Sequence, residues 1–295
     1  MNYSEELEIK VIVAHALKED IGLKDITTET LIPAKINVKA VLLAKEDCVV
    51  CGMGVVAMVF KSLDKNIEFK SLVSDGKFVK KGRVIARIRG KAKSILSSER
   101  VALNFLSFLS GISTGTRKFV NAVKPYKVKI LDTRKTIPGL RLLEKYAVRI
   151  GGGYNHRLRL DEMFMVKDNH IAVAKQIQTE EKKLLRIVDT IKKKTLHARR
   201  IEIEVKDLKE FKEVLAANPD IIMLDNMPVN EIRKAVKLRN TLSAKANRRP
   251  FPILEASGGI NLGNIKKIAA CGVDTISVGA LTHSVSSVDI SLEIL

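Results

Sequence analysis

From residue 127 onward, short apolar runs alternate with longer amphipathic segments. The apolar runs occur in KVKILD, MFMVKD, IEIEVKD, DIIMLDN, FPILEAS and DTISVGA, and such runs are typical of parallel strands that are covered on both faces. Helical spacing of apolar residues occurs between them, at residues 139–149, 175–195, 207–217, 229–239 and 262–271. Six such units over about 165 residues predict a closed or nearly closed β/α barrel rather than an open sheet.

The preceding part of the chain has a different pattern. Residues 5–18 place apolar side chains at helical spacing, and Asp25 begins a polar, β-branched segment. Residues 36–90 contain short runs that are rich in β-branched residues and are separated by turn residues. Residues 94–123 predict a long helical region with a break near Gly111. The pattern therefore predicts a smaller α+β unit ahead of the barrel.

Composition places the chain among globular proteins. Hydrophobic residues make up 46% of its 295 residues, which suits a sizeable core. No apolar run approaches the roughly 20 residues of a membrane span, and MNYSEELEIK lacks the apolar centre of a secretory signal, so we expect a cytoplasmic protein.

Three cysteines exclude a disulfide framework. Cys48 and Cys51 have no second pair to complete a zinc site, which favours buried structural thiols.

The net charge of +19 raises a second class of function, nucleic-acid binding. Much of the surplus falls in two stretches with the pattern of helix surfaces and loops. Residues 175–200 contain nine Lys and Arg against three acidic residues, and residues 233–249 contain seven against none. Aromatic residues are only 4% and Trp is absent, which leaves little for stacking on bases. We therefore favour an anionic substrate over nucleic acid.

Polar residues follow every strand of the predicted barrel. In chain order the strand ends are DTRK at 132–135, KDNH at 167–170, Glu204, Asp225-Asn226, EASGG at 255–259 and SVGA at 277–280. In β/α barrels the active site is assembled from the loops at the C-terminal ends of the strands. We therefore expect these polar groups to converge on one mouth.

Basic side chains dominate one side of this expected mouth. They are Arg134, Lys135, His156, Arg157 and Lys167. Five basic groups exceed what one phosphate needs, and guanidinium groups match planar carboxylates. The set favours a phosphorylated sugar together with a second substrate of several negative charges. For His156, the sequence leaves open a general acid–base role and a hydrogen-bond donor role.

Small residues end the last two strands. Ser257-Gly258-Gly259 and Ser277-Val278-Gly279-Ala280 each precede a predicted helix, where backbone N–H groups and the helix dipole favour a phosphate. A recurrent phosphate site of β/α barrels is built from the loops after the final two strands. A pair of ordinary tight turns is the alternative interpretation.

Two acidic residues, Glu204 and Asp225, end neighbouring strands. Carboxylates that face a phosphate site can bind ribose hydroxyls, hold Mg²⁺ or stabilise a developing oxocarbenium ion. Glu202 points to the same side of its strand as Glu204, so the sequence alone does not choose between them, although the position nearer the strand end is favoured. Asp225 has the alternative role of a helix N-cap.

Long motifs in the chain resemble the quinolinate phosphoribosyltransferase family of type II phosphoribosyltransferases. The motifs are SSERVALNFLSFLSGISTGTR, ILDTRKTIPGLRLLEKYAVRIGGGYNHRLRL, VKDNHI, IEIEV, IIMLDNM, LEASGGI and ISVGALTHS. With KEDIGLKDITTETLIP near the start, the resemblance runs nearly end to end. Lys24 departs from the family pattern, in which Gly commonly precedes the Asp, and the basic segment at residues 182–200 is particular to this chain.

The resemblance implies an N-terminal α/β sandwich in residues 1–112 and a C-terminal incomplete β/α barrel in residues 113–295. The N-terminal helix and the C-terminal segment are candidates for exchange between these domains. It further implies a glycosyltransferase of NAD biosynthesis that uses Mg²⁺. The implied reaction transfers the phosphoribosyl group of phosphoribosyl pyrophosphate to quinolinate with decarboxylation, giving nicotinate mononucleotide, pyrophosphate and CO₂.

The resemblance also implies roles for individual residues. Those implied to bind substrates are Arg100, Thr133, Arg134, Lys135, His156, Arg157, Lys167, Glu204, Asp225, Ser257, Gly258, Gly259, Val278, Gly279 and Ala280. Lys167, Glu204 and Asp225 are implied to be catalytic, and Glu204 and Asp225 to hold the metal ion, directly or through water. Arg100, which pattern alone would make a solvated helix charge, is implied to reach the neighbouring site in a homodimer or a larger assembly of dimers.

The nearest alternative is another type II phosphoribosyltransferase that acts on nicotinate or a related heteroaromatic acid. Nicotinate carries one carboxylate and needs fewer cations than this set supplies.

Overall fold

A computed structural model of the chain describes residues 3–177, 183–194, 199–245 and 251–295. Contacts divide the chain into two compact units that interleave along the sequence. The first unit contains the residues up to Arg117 together with Lys135–Gly153 and Leu281–Leu295, and the second contains Lys118–Arg134 and Tyr154–Ala280. The single domain boundary after residue 112 stays a prediction.

The first unit is built on a four-stranded antiparallel sheet. In chain order its elements are α1 (Tyr3–Ile21), α2 (Ile26–Leu31), β1 (Asn37–Ala44), β2 (Cys48–Val49), α3 (Met53–Leu63), β3 (Glu68–Ser71), β4 (Phe78–Val79), β5 (Val84–Lys91), most of α4 (Ala92–Ala122), α5 (Arg141–Gly151) and, near the C-terminus, β12 (Ile290–Ile294). The sheet has the order β12-β1-β5-β3, and β2 and β4 form a separate pair. The last strand of the chain therefore joins the first.

One local expectation for this unit is wrong. The helix α4 runs without a break through Gly111, where a Cβ would collide with the main-chain oxygen of Ser286. This glycine therefore permits close packing and does not interrupt the helix. The polar segment after Asp25 is helical, because the Asp25 carboxylate accepts a hydrogen bond of 2.9 Å from the N–H of Thr28 and caps α2.

The second unit contains a six-stranded parallel sheet with helices between its strands. Its elements are β6 (Lys129–Leu131), β7 (Phe164–Val166), α6 (Asp168–Ile177), α7 (Lys183–Lys194), β8 (Ile201–Val205), α8 (Leu208–Ala217), β9 (Ile221–Asp225), α9 (Val229–Lys245), β10 (Ile253–Ser257), α10 (Ile265–Ala269) and β11 (Thr275–Ser277). The short helix α11 (Ala280–His283) follows. The strand order is β6-β11-β10-β9-β8-β7.

This strand order confirms the incomplete barrel. The first strand of the unit, β6, pairs with the last, β11, as in a closed barrel. Among the described residues, however, β6 and β7 are the two edges of the sheet, so the ring is open between them. The backbone of Tyr154 partly covers this opening through an isolated parallel bridge to Leu131. Every residue of β8 is buried, as expected for a strand with helices on one side and the barrel interior on the other.

Part of the basic surplus has a structural role. The Lys192 ammonium group donates hydrogen bonds to the main-chain oxygens of Ala217, at 2.8 Å, and Asn218, at 3.1 Å, at the C-terminus of α8. Residues 178–182, 195–198 and 246–250 of the two basic stretches lie outside the described residues.

The three cysteines are free and buried. No described helix has the length and apolar character needed to cross a membrane.

Candidate active site

The polar ends of the parallel strands lie along one edge of the sheet. Ser257 pairs in register with Asp225, Ser277 pairs with Leu131, and Val205 pairs with Leu224. Because parallel strands all end on the same side, Glu204, Asp225 and the loop after Leu131 share this edge. The expectation that the polar strand ends converge is thus confirmed within the second unit.

A buried aspartate fixes the loop that carries the predicted cations. Asp132, directly after β6, is 0% exposed. Its Oδ1 accepts the main-chain N–H of His156 at 2.8 Å, and its Oδ2 accepts the side-chain amide of Asn155. Its own N–H donates to the main-chain oxygen of Tyr154. A carboxyl group this deeply buried is tolerated because these hydrogen bonds satisfy it, and they hold residues 154–156 against the end of β6.

The side chain of His156, which this loop carries, lies beside two buried glutamates. Its Nε2 lies 2.9 Å from Glu202 Oε2 and 3.8 Å from Glu255 Oε1, and both glutamates are almost completely buried. Its Nδ1 accepts the main-chain N–H of Arg157 at 2.8 Å. The Nδ1 of His156 therefore accepts a hydrogen bond within the protein, and Nε2 lies inside the buried acidic cluster that the two glutamates form.

The position of Glu255 in this cluster changes its pKa. The pKa of Glu255 is raised to about 7, chiefly by burial and next by the neighbouring charge of Glu202, against the opposing effects of His156, Ser277 and Thr275. Thr275 donates to Glu255 Oε2 at 3.2 Å. The ligand atoms of His156, Glu202 and Glu255 lie within 4.8 Å of one another, so the three side chains could surround a metal ion.

Two of the predicted arginines lie close enough to influence each other. Burial lowers the pKa of Arg157, and the charge of Arg134 lowers it further, while Glu202 and Glu162 oppose the change. The Nη1 of Arg157 donates to the main-chain oxygen of Met163 at 3.0 Å. Two half-buried guanidinium groups that repel each other form a site that favours a bound anion.

The acidic side of the site consists of Glu204 and Asp225. Lys167 Nζ lies 3.5 Å from Glu204 Oε2. Burial raises the pKa of Glu204; Lys167 opposes this effect, whereas Asp225 and Asp168 add to it. Carboxylates that repel one another in this way are suited to hold a cation or a cationic sugar carbon. Asp225 ends β9, four residues before α9 begins at Val229, so it is not the N-cap of that helix.

The turn after β10 requires glycine. Gly258 and Gly259 have φ angles of 88° and 60°, and a Cβ on Gly258 would collide with the side-chain amide of Asn226. This tight left-handed turn agrees with a site where a phosphate approaches the backbone. The turn after β11 differs, because the N–H of Val278 donates to the main-chain oxygen of Leu131 at 2.9 Å. The main-chain N–H of Val278 thus belongs to the sheet, and Gly279 and Ala280 follow it.

The remaining predicted residues fall in different surroundings. Thr133 is half-buried beside Asp132 in the second unit. Arg100 and Lys135 are exposed residues of the first unit, and Arg100 lies on α4. Lys135 accepts a hydrogen bond from Thr282 through its main-chain oxygen and lines a cavity of about 500 Å³ within that unit.

Several residues of the site did not emerge from the sequence. Asp132 was visible only as part of a polar loop, and Glu255 only as part of a polar strand end. One sequence pattern could have identified Glu202 and Glu255. Each is an acidic residue inside an otherwise apolar run, in IEIEV and ILEAS. Such a residue must have a partner inside the barrel, and sequence spacing did not indicate that His156 is that partner.

Comparison with known proteins covers both parts of the chain. The sequence model of the quinolinate phosphoribosyl transferase N-terminal domain matches residues 25–110, and that of the C-terminal domain matches residues 112–293. The chain is 43% identical over 286 residues to the probable nicotinate-nucleotide pyrophosphorylase (carboxylating) of Methanocaldococcus jannaschii, covering 96% of each chain. It is 40% identical to the Bacillus subtilis protein of the same description, covering 98% of this chain and 94% of the relative.

A solved structure shows the same similarity in three dimensions. The nicotinate-nucleotide pyrophosphorylase from Francisella tularensis superposes with a TM-score of 0.86 at 38% identity, covering 98% of this chain and 96% of that protein. Sequence and structure therefore agree over nearly the full length. The chain belongs to the quinolinate phosphoribosyl transferase family.

Proposed function

We propose that this protein transfers the phosphoribosyl group of phosphoribosyl pyrophosphate to quinolinate in NAD biosynthesis. Loss of one carboxyl group then gives nicotinate mononucleotide, pyrophosphate and CO₂. The observation that carries the proposal is the match to both family domains at about 40% identity over nearly the whole chain. The close pair Arg134 and Arg157 supports an acceptor with more than one negative charge.

The acceptor acid would bind against the basic side of the site. Arg134 and Arg157 would bind its carboxylates, and the repulsion between the two guanidinium groups is relieved when an anion lies between them. The roles that the family resemblance implies for Thr133, Lys135 and Arg100 in substrate binding stay predictions. Holding the ring in one orientation beside the sugar would account for much of the rate enhancement, because the reaction needs no protein nucleophile.

The sugar phosphate would bind on the other side. The backbone at Gly258 and Gly259, with Ser257, Gly279 and Ala280, would hold the 5′-phosphate. Glu204, which Lys167 contacts at 3.5 Å, would face the ribose with Asp225 and stabilise positive charge that develops at the anomeric carbon. Pyrophosphate would leave as the ring nitrogen bonds to the anomeric carbon. Decarboxylation would follow in the same site, the electron pair of the broken C–C bond being stabilised by the cationic pyridine ring until that ring carbon takes up a proton from solvent.

Glu204 and Asp225 also fit the metal ion that the family implies. Burial is the main cause of the raised pKa of Glu204 and the charge of Asp225 adds to it, so a divalent cation beside these carboxylates would stabilise the charged form of Glu204. Mg²⁺, when bound, would neutralise charge on the departing pyrophosphate. Residues of this chain would hold it directly or through water, and Lys167 would remain beside Glu204 to contact the substrate phosphates.

A homodimer or a larger assembly of dimers is part of the proposal. The exposed position of Arg100 on α4 is consistent with a side chain that acts in the site of a neighbouring subunit. A cytoplasmic location stays a prediction from the sequence.

The proposal is tested by offering the protein phosphoribosyl pyrophosphate and Mg²⁺ with either quinolinate or nicotinate, and identifying the products by mass. We expect nicotinate mononucleotide and CO₂ from quinolinate only. Formation of the same nucleotide from nicotinate, without CO₂, would identify the alternative acceptor. In the Arg134→Ala variant we expect loss of quinolinate binding with an unchanged circular dichroism spectrum; an unchanged affinity would contradict the assigned acceptor side.

A further inference from the structure

Asp132 joins the two segments that carry the paired arginines. It lies two residues before Arg134, on the loop that follows β6. Its buried carboxyl group also contacts the two residues that immediately precede Arg157. Oδ1 accepts the main-chain N–H of His156 at 2.8 Å, and Oδ2 accepts the side-chain amide of Asn155. One side chain therefore connects the two arginine-bearing segments.

The main chain provides a second connection at the same place. The N–H of Asp132 donates to the main-chain oxygen of Tyr154 at 3.1 Å, and the N–H of Tyr154 donates to that of Ile130 at 2.8 Å. These two bonds attach the backbone at Tyr154 to the strand β6. The carboxyl group of Asp132 extends the attachment by two residues, as far as the residue before Arg157.

The chain that follows Arg157 is held as well. Glu162 Oε2 accepts the main-chain N–H of Leu158 at 2.7 Å. The guanidinium group of Arg157 donates through Nη1 to the main-chain oxygen of Met163 at 3.0 Å. Arg157 thus lies in a short segment that is fixed on both sides, and Asp132 attaches this segment to the one that carries Arg134.

The two guanidinium groups need such a connection because they repel each other. Burial is the main cause of the lowered pKa of Arg157, and the charge of Arg134 adds to it. An acid with two carboxylates needs both guanidinium groups at once and at a fixed separation, whereas an acid with one carboxylate needs only one of them. The separation of the two arginines is therefore a means of selecting between acids that differ by one carboxyl group.

We propose that Asp132 is a positioning residue, which sets the spacing of Arg134 and Arg157 and so favours a heteroaromatic dicarboxylate over a monocarboxylate. Asp132 is 0% exposed and both of its carboxyl oxygens accept hydrogen bonds from the protein, so it acts through the two segments and does not contact the acid. The inference rests on the proposed function, because the dicarboxylate is the acceptor of that reaction.

An exchange of the side chains of Asp132 and Asn155 tests this contact. In Asp132→Asn the new amide can accept only one of the two N–H groups that face it, because its other end is itself a donor. Asp132→Asn combined with Asn155→Asp restores both contacts: the amide at position 132 accepts the N–H of His156 and donates to the carboxyl group at position 155. We expect the KM of quinolinate to rise about tenfold in the single variant and to return to within about threefold of wild type in the exchanged variant.

Two other ligands distinguish positioning from a general structural role. Nicotinate has one carboxylate, so its inhibition constant against quinolinate should change by less than about threefold in Asp132→Asn. The KM of phosphoribosyl pyrophosphate should also stay within about threefold, because its proposed contacts, at Glu204 on β8 and Gly258 after β10, lie on other strands.

Asp220→Asn is the matched control. The carboxyl group of Asp220 also accepts a main-chain N–H, that of Ile201 at 2.8 Å, but this contact lies at the start of β8 and not at the end that bears the site. We expect the KM of quinolinate in Asp220→Asn to equal that of the wild type.

The outcomes are distinct. A wild-type protein that forms no product from quinolinate would remove the proposed function and this inference together. An active wild type with an unchanged KM of quinolinate in Asp132→Asn would overturn only the inference. An equal loss for quinolinate, nicotinate and phosphoribosyl pyrophosphate, or no recovery in the exchanged variant, would show a merely structural role and would overturn it too. If Asp132→Asn does not fold, Asn155→Ala, which removes only one of the two contacts, must still weaken quinolinate more than nicotinate.

Discussion

The carboxyl of Glu255 makes the stability of this protein depend on pH in a direction that can be measured. Its pKa is raised from 4.5 to about 7, chiefly by burial and next by the charge of Glu202. A tenfold change in proton affinity corresponds to about 1.4 kcal/mol, so the preference for a proton stabilises the fold by about 3 kcal/mol in acid. Because the folded pKa is the higher one, this stabilisation is complete below about pH 4.5 and is lost as the pH rises through about 7.

Glu255→Gln removes the titration while keeping nearly the same shape. We expect the free energy of unfolding of the wild type to fall between about pH 5 and pH 8 by up to about 3 kcal/mol more than that of the variant. Urea unfolding followed by circular dichroism at several pH values measures the difference. Glu213→Gln, the same substitution at a carboxylate that accepts the N–H of Leu184 instead, should retain the wild-type dependence. Parallel pH profiles for the wild type and Glu255→Gln would refute the reasoning.

Three further variants test other features of the second unit. Gly258→Ala should raise the KM of phosphoribosyl pyrophosphate about tenfold, since a side chain at this left-handed position costs about 1–3 kcal/mol, and steady-state kinetics would measure it. Lys193→Glu with Lys194→Glu, on the exposed end of α7, should leave turnover unchanged; a loss of activity would tie this basic stretch to function. Arg239→Ala should lower the free energy of unfolding by about 3 kcal/mol in urea, because Arg239 is 2% exposed and its Nη1 lies 2.7 Å from Asp274.

The barrel was predictable because its signals are repeated. Each strand of this sheet is a short, mainly apolar run, and each is followed by polar residues, so the edge that bears the site could be inferred from IEIEV, IIMLD and their equivalents. The parallel pairing of β8, β9 and β10 confirms this reasoning. The helix bounds were less certain, because the residue that caps or breaks a helix depends on distant contacts.

Gly111 shows that dependence. In the sequence it is a helix breaker, but in the fold it makes room for the backbone at Ser286, which lies 175 positions later in the chain. The cluster around His156 escaped prediction for the same reason. Glu202, Glu255 and His156 lie on three separate segments, and only the curvature of the sheet brings their side chains together inside the barrel.

The opening between β6 and β7 has a consequence for solubility during folding. An open parallel sheet presents two edges whose unpaired N–H and C=O groups can recruit another chain. Both edge strands here are only three residues long, β6 begins with the charged Lys129, and the backbone at Tyr154 occupies part of its free side. The short, partly covered edges beside the loop of Asn155 to Arg157 are therefore poor templates for the addition of another strand. This protects the open barrel from edge-to-edge aggregation.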